Sequence, residues 1–359
     1  MSRVYNFSAG PAALPLEVLD TIRNDLPDWQ GTGMSVMEIS HRSKEFMEVA
    51  SRAESTFREL LGISEDYAVL FPQGGATLQM AMAPLNLTRP GDTVDYVVTG
   101  SWGKKAANEA KKFCQVNIAA DASDRNFTYI PPESSWQRSG NAAYLHYTPN
   151  ETIAGVEFHF VPGGDVPLVA DMSSTILSRP IDVSRFGVIY AGAQKNIGPA
   201  GITVVIVRRD LLDRVRPDNP HLMTWQAYAE SDSMTNTPPT FAWYVADLVF
   251  QWLKRQGGVE AMAAINERKA QKLYGAIDAS DFYSNPVAPG ARSWMNVPFV
   301  LADAALDGRF LEESRAAGLT NLKGHRSVGG MRASIYNAVA EEAVDALIGF
   351  MADFEKRCA

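Results

Sequence analysis

The segment Val188 to Val207, VIYAGAQKNIGPAGITVVIV, contains one charged side chain, Lys195, set in a Gly/Pro-rich turn between two strand-like runs. A lysine is rarely buried without a partner or a chemical task. Desolvation lowers the pKa of the amine and frees its lone pair, the condition a Schiff-base lysine requires. A lysine whose head snorkels from a strand end into water is the competing reading of the same turn. Upstream, Pro167-Leu168-Val169-Ala170-Asp171 places a carboxylate at the end of a short apolar run. Ligands in open α/β sheets bind beyond the carboxyl ends of strands, so Asp171 and Lys195, one strand apart, could share a site. Together they have the chemistry to hold a pyridinium proton and an aldehyde.

Other residues fall into place around that pair. Gln73-Gly74-Gly75-Ala76-Thr77 follows a strand-like run and opens a helix, so its backbone N–H groups and the helix dipole could receive a phosphate. Trp102, in Thr99-Gly100-Ser101-Trp102-Gly103, could stack on a flat ring or simply fill a core. His-Arg-Ser occurs twice, at His41-Arg42-Ser43 and His325-Arg326-Ser327, and paired His-Arg donors in an acidic chain point to a dianion such as phosphate. Arg332, in Gly329-Gly330-Met331-Arg332, begins a strand and could receive a carboxylate, although an ordinary strand-end arginine would look the same.

The elements that must hold these residues alternate along the first two-thirds of the chain. Phe46, Val49, Ala50, Ala53, Phe57, Leu60 and Leu61 give Ser43–Gly62 the spacing of an amphipathic helix. Short, mostly apolar runs at Tyr67–Phe71, Val94–Val98, Ala143–Tyr147, Leu168–Ala170, Val188–Ala191 and Ile202–Val207 do not alternate, which predicts strands covered on both faces. The expected fold class is therefore α/β, a mostly parallel sheet flanked by helices. A helix is predicted from about Phe241 to Gln256, and paired glycines at Gly257-Gly258 then mark a domain boundary. Beyond it, strands near Trp294–Val300 and Met331–Ile335 alternate with helices, which predicts a smaller α+β domain.

Composition narrows the function classes. At 359 residues the chain exceeds what one core serves, so two domains, or one large α/β layer with a smaller cap, are expected. Lys plus Arg is 33 against Asp plus Glu 41, a net charge of −8, which argues against nucleic acid or an anionic membrane as partner. Two cysteines, Cys114 and Cys358, are too few for a disulfide framework or a Cys-rich metal site, so no metal is expected. Met1 to Pro15 lacks the order of a secretory signal, and no apolar run approaches the ~20 residues that span a bilayer, so the expected localisation is cytoplasmic.

As a set, these residues resemble the class V branch of fold type I pyridoxal-phosphate enzymes, and within it the aminotransferases that act on phosphoserine. The stretches that carry the resemblance run the length of the chain. They are Asn6-Phe7-Ser8-Ala9-Gly10-Pro11-Ala12, Ser40-His41-Arg42-Ser43, Gly74-Gly75-Ala76-Thr77, Gly100-Ser101-Trp102 and Pro149-Asn150-Glu151-Thr152. They continue with Ala170-Asp171-Met172-Ser173-Ser174, Gly192-Ala193-Gln194-Lys195-Asn196, Asn236-Thr237-Pro238-Pro239 and Gly324-His325-Arg326.

The resemblance implies pyridoxal 5'-phosphate as cofactor and a seven-stranded sheet in a large domain, residues 16–258, with residues 1–15 and 259–359 in the small one. It implies that Lys195 holds the cofactor aldehyde and shuttles a proton, that Asp171 pairs with the ring nitrogen, that Trp102 stacks on the ring and that Thr152 bonds the phenolic oxygen. Ala76, Thr77 and Gln194 would hold the cofactor phosphate, with Asn236 and Thr237 reaching it from the second subunit of a homodimer whose active sites lie at the interface. Ser8 and Arg42 match positions that contact glutamate, Arg332 matches the receiver of the α-carboxylate, and His41, Arg42, His325 and Arg326 would trap the substrate phosphate. Where some relatives carry arginine, this chain has Thr77, which puts more weight on the two His-Arg pairs. The implied reaction converts phosphoserine and 2-oxoglutarate to 3-phosphohydroxypyruvate and glutamate, and the resemblance admits 4-phosphohydroxythreonine as a second substrate.

Three rivals share parts of the pattern. A cysteine desulfurase needs a nucleophilic thiol, for which Cys114 and Cys358 are poorly placed. An alanine–glyoxylate or serine–pyruvate aminotransferase would keep the lysine and aspartate but has no use for a phosphate trap. A cofactor carrier without turnover needs neither a proton shuttle nor a carboxylate receptor.

Overall fold

A computed structural model of the chain describes residues 3–358. The first half comprises β1 (Tyr5–Asn6), α1 (Leu16–Asp25), α2 (Lys44–Leu61), β2 (Tyr67–Leu70), α3 (Gly75–Leu87), β3 (Thr93–Val98), α4 (Ser101–Ala110) and β4 (Gln115–Asp121). Then come β5 (Leu145–Tyr147), β6 (Asn150–Glu151), β7 (Val156–Glu157), β8 (Leu168–Asp171), β9 (Val188–Gly192) and β10 (Thr203–Arg208). The helices α5 (Trp225–Glu230), α6 (Thr240–Arg255) and α7 (Gly258–Asp278) lead to β11 (Tyr283–Ser284), β12 (Asn296–Leu301), α8 (Asp307–Ala316), β13 (Leu319–Thr320), β14 (Met331–Ser334) and α9 (Glu341–Cys358).

Local signals explain where these elements start and stop. Ser43 caps α2 by accepting the Phe46 N–H at 3.2 Å, and Gly62, at φ 63°, ends it in the left-handed region that glycine enters without a Cβ penalty. The apolar stripe between those caps, including Phe46, Val49, Ala53 and Phe57, is buried. Its partner α6 carries Trp243 and Phe250, whose rings meet Phe46 and Phe57.

Seven strands form one sheet in the order β2-β10-β9-β8-β5-β3-β4. All pairs are parallel except those of β10, which runs antiparallel to both neighbours. Two reversals restore direction, so β2 runs the same way as β9, β8, β5 and β3. The chain therefore leaves all five of these strands along one edge, where the segments carrying Gly74, Lys195, Asp171, Thr148 and Trp102 converge. The inner strands β8 and β9 are buried throughout, which is why they read as unbroken apolar runs. β4 is the strand without such a run: it pairs only with β3, lies at the sheet edge and is half-exposed.

A second apolar core gathers Phe7, Leu273, Ile277, Phe299, Phe310, Val344, Leu347 and Phe354 around the three-stranded sheet β11-β12-β14. Gly257, at φ 95°, separates α6 from α7. α7 then passes from one core to the other, burying Val259 and Met262 in the first and Ala270, Leu273 and Ile277 in the second. No helix among the described residues is long and apolar enough to cross a membrane.

On α7, Lys269 is fully buried and its ammonium donates three hydrogen bonds of 2.9 Å each, to the carbonyls of Ile335, Tyr336 and Val339. These carbonyls belong to the turn between β14 and α9, whose Asn337 N–H in turn donates to Asn196 Oδ1 at 3.1 Å, next to Lys195. Lys269→Met should therefore cost about 3 kcal/mol or more, the penalty of leaving three buried carbonyls unpaired. Urea unfolding measures it, and a loss under about 1 kcal/mol would contradict this account of the turn.

Candidate active site

Each strand of the converging edge delivers one part of the site. After β2, Gly74 and Gly75 adopt φ of 92° and 65°, which turns the chain sharply into α3. A side chain at Gly74 would also meet Leu78 Cδ2 at 2.5 Å. The first turn of α3 thus presents free backbone N–H groups around Ala76 and Thr77, an anion-binding arrangement. After β3, Trp102 stands in the first turn of α4.

Asp171 ends β8, with Oδ1 accepting the Ser173 N–H at 3.1 Å and the Ser173 hydroxyl at 2.6 Å. That hydroxyl also accepts the Gly192 N–H at 3.1 Å, which locks the ends of β8 and β9 together. Burial raises the carboxyl pKa, while the Ser173 hydrogen bonds and the Lys195 charge oppose the rise. Oδ2 makes no hydrogen bond among the described residues, so it remains available as an acceptor.

Lys195 follows β9 and is only 9% exposed. Its Nζ donates to Thr152 Oγ1 at 2.6 Å and lies 6.0 Å from the centre of the Trp102 ring. Burial pushes its pKa down to about 8, against the upward pull of the Asp171 and Glu151 charges. The turn that holds it is pinned from outside, because the Ala12 N–H donates to the Gln194 carbonyl at 2.9 Å. Arg332, on β14, donates from Nη1 to the Thr152 carbonyl at 3.2 Å. Thr152 therefore joins the lysine to the arginine.

A cavity of about 110 Å³ opens here, and its walls include Ala76, Thr77, Trp102, Thr152, Asp171, Gln194 and Lys195. Seven residues singled out in the sequence are thus brought together. Asn236 and Thr237 are exposed and do not line it; they lie against Gln73, whose Nε2 donates to Asn236 Oδ1 at 3.2 Å and to the Thr237 carbonyl at 3.0 Å. Ser8, His41, Arg42, His325 and Arg326 do not line it either. His41-Arg42 precedes α2, His325-Arg326 precedes β14, and no hydrogen bond joins the two pairs within the described chain.

The same walls include residues to which sequence reasoning gave no role. Thr148 and Ser173 line the cavity, and Asn150 bridges Ser174 and Asn296 by hydrogen bonds of 2.9 and 2.8 Å. Glu151 lies fully buried behind Trp102. Asn150 and Glu151 stand inside a stretch whose motif was legible, but their partners are distant in sequence. Only the fold reveals them.

The donor set suits pyridoxal phosphate. Three buried polar atoms of the cavity residues, Trp102 Nε1, Thr148 Oγ1 and Asn150 Oδ1, have no hydrogen-bond partner among the described residues. Such atoms are costly unless something polar meets them. Alongside stand an amine of lowered pKa, a carboxylate with a spare oxygen, and a helix N-terminus fit for a phosphate.

The chain belongs to the class V aminotransferases: the family model described as Aminotransferase class-V matches residues 4–347. It is 61% identical over 356 residues to the phosphoserine aminotransferase of Hahella chejuensis, covering 99% of each chain. It is 58% identical to that of Pseudomonas aeruginosa, covering 99% of this chain and 98% of the relative. Among solved structures, phosphoserine aminotransferase from Bacillus circulans subsp. alkalophilus superposes with a TM-score of 0.97 at 47% identity over 99% of both chains. The PLP-bound phosphoserine aminotransferase of Trichomonas vaginalis gives 0.94 at 44% identity, over 98% of this chain and 100% of that one. The expected class, α/β of fold type I, is thereby met.

Proposed function

We infer that this chain transfers the amino group of O-phospho-L-serine to 2-oxoglutarate, reversibly, giving 3-phosphohydroxypyruvate and L-glutamate, a step of serine biosynthesis. The observation that carries the reading is the meeting of Lys195, Asp171, Trp102, Thr152 and the Gly74-Gly75 turn in one cavity, in a chain 61% identical over nearly its whole length to a protein of that activity. Bound there, pyridoxal phosphate would supply an electrophilic aldehyde and a ring able to delocalise the charge left when a Cα–H bond breaks. In this reading the first turn of α3 and Gln194 hold its phosphate, Trp102 covers the ring, Thr152 meets the phenolic oxygen and Asp171 keeps the ring nitrogen protonated. Lys195 would hold the aldehyde and then, as a neutral amine, carry the proton from the substrate Cα to the cofactor carbon that bore the aldehyde, and back the other way for 2-oxoglutarate.

Arg332 is the receiver we assign to the α-carboxylate, a role its place beside Thr152 supports. Arg332→Ala should raise KM for phosphoserine about 10–100-fold, the worth of a hydrogen-bonded charge pair of about 1.5–3 kcal/mol. Steady-state kinetics measures this, and an unchanged KM would rule out the role. We further propose that His41-Arg42 and His325-Arg326 form the phosphate trap, and that Ser8 and Arg42 contact glutamate. Residues 16–258 are proposed as the large domain and residues 1–15 and 259–359 as the small one.

A homodimer follows from the proposed reach of Asn236 and Thr237 to the second subunit's cofactor, supported by their exposure outside their own cavity and by the exposed apolar Met34, Met37 and Met47. A native mass of one chain would contradict it. A cytoplasmic setting is supported by the free thiols of Cys114 and Cys358.

The test of the whole reading is substrate choice. With 2-oxoglutarate as acceptor, kcat/KM for phosphoserine should exceed that for serine and for alanine by about 100-fold or more, as expected for losing a charge-assisted phosphate site. Equal values would move the chain to an alanine–glyoxylate or serine–pyruvate type of aminotransferase. No turnover with any of them would leave a carrier.

A further inference from the structure

Glu151 occupies a position that no part of the reaction above accounts for. Its carboxylate is fully buried and accepts two backbone hydrogen bonds, from the Gly103 N–H to Oε1 at 2.7 Å and from the Trp102 N–H to Oε2 at 3.0 Å. Both donors are free first-turn amides of α4, the groups that an N-cap side chain ordinarily satisfies. The N-cap of α4 is Gly100, which has no side chain to offer. Glu151, 51 positions further on, fills that place from another element.

The fit is built from both sides. A methyl group at Gly100 would overlap the Glu151 carboxyl, and one at Gly103 would lie 3.3 Å from Oε1 and 3.2 Å from the Val97 carbonyl. The two glycines that flank Ser101-Trp102 thus leave room for the carboxylate. A serine or aspartate at position 100 would cap the helix near its own backbone without burying a distant charge, which is the cheaper way to stabilise a helix end. The arrangement has a different consequence: Glu151 directly precedes Thr152, whose hydroxyl accepts from Lys195 and whose carbonyl accepts from Arg332. The Glu151 carbonyl also accepts the Gly155 N–H at 2.8 Å, which closes the turn between β6 and β7.

We propose that Glu151 is a positioning residue that clamps the first turn of α4 so that the Trp102 indole is held at a fixed place relative to Thr152 and Lys195. The proposal rests on the reading of Trp102 as the residue that covers the cofactor ring. The carboxylate touches neither ring nor substrate. The clamping passes through the backbone of residues 102 and 103, and it is separate from the upward pull that the Glu151 charge exerts on the Lys195 pKa. Both of its oxygens accept N–H bonds, so a group with one acceptor cannot replace it.

Glu151→Gln tests this with little change of volume, because an amide accepts one N–H and turns its own NH2 group against the other. Glu151→Gln loaded with pyridoxal phosphate should release the cofactor about tenfold faster or more, and its visible circular dichroism should fall, while KM for phosphoserine stays within about threefold of the parent. Glu151→Asp, which keeps the charge on a shorter arm, should recover part of the dichroism and serves if Glu151→Gln folds poorly. In a double-mutant cycle, Glu151→Gln should add less than about twofold to the release rate of Trp102→Ala, since both act through one indole. Additive effects, or a loaded Glu151→Gln protein indistinguishable from the parent, would overturn the proposal. If instead the parent chain binds no pyridoxal phosphate, the reading of the site falls, and that result is separate.

Discussion

Lys195→Ala is expected to lower turnover with phosphoserine by about 10⁴-fold or more, because one side chain both holds the cofactor aldehyde and moves the Cα proton. The protein should remain folded and bind pyridoxal phosphate without a covalent link, since the helix N-terminus, Asp171 and Trp102 are untouched. The physical basis is the amine's environment: burial brings its pKa from 10.5 down to about 8. Roughly a tenth of the side chain is then neutral at pH 7, against well under a hundredth at the ordinary value. Covalent capture of the cofactor should accordingly quicken as pH rises through about 8 and level off above it.

The same depression has a signed consequence for stability. Between pH 8 and 10.5 the unfolded chain binds a proton at Lys195 that the folded chain has already released, so folding stability from this group rises with pH across that window. Below pH 8 the buried ammonium is a constant cost, which Lys195→Ala removes. A folded Lys195→Ala protein that retains more than about a hundredth of parental turnover would refute the assignment.

Asp171→Asn is the second large effect, an expected loss of about 10²–10⁴-fold in kcat, the range for a positioned group that holds a proton the reaction needs. An amide cannot keep a ring nitrogen protonated by charge, yet it fills the same space and can still accept from Ser173. KM for phosphoserine should change little, because Arg332 and the His-Arg pairs are intact. The variant should also shift the Lys195 titration further down, since the Asp171 charge is the strongest influence favouring its protonated form. The rising limb of capture rate against pH would then move below 8. A kcat loss under about tenfold, or an unmoved titration, would show that Asp171 does not do this work.

Much of this site could be read from the sequence because its parts sit where strands end. Lys195 and Asp171 stand out as lone charges after unbroken apolar runs, the Gly74-Gly75 turn follows another, and Trp102 follows a mostly apolar run interrupted only by Asp95. The runs read correctly because β8, β9 and β10 are covered on both faces. β4 did not, since an edge strand of composition QVNIAAD, half in water, mixes polar and apolar residues without either period. Lys269 was equally silent. In α7 it is one lysine among the charged residues of NERKAQK, and it is buried only because a turn of 335–339, far along the chain, folds over it. Glu151 was visible as a letter in Pro149-Asn150-Glu151-Thr152, but its function is defined by two N–H groups in another element. Residues whose meaning lies in a tertiary partner leave no periodic trace.

Two lysines are thus buried with lowered pKa, Lys195 and Lys269, the latter pushed down to about 7 by burial. Only Lys195 faces the cavity, and Lys269 has all three donors committed to carbonyls. Borohydride reduction of the pyridoxal-phosphate-loaded protein, followed by peptide mass mapping, with and without prior phosphoserine, tests the account directly. The expected result is one cofactor mass on the peptide containing Lys195, abolished when phosphoserine without 2-oxoglutarate is added first, because the amino group has then passed to the cofactor. Label on Lys269 or any other lysine, or label on Lys195 that phosphoserine leaves unchanged, would contradict it.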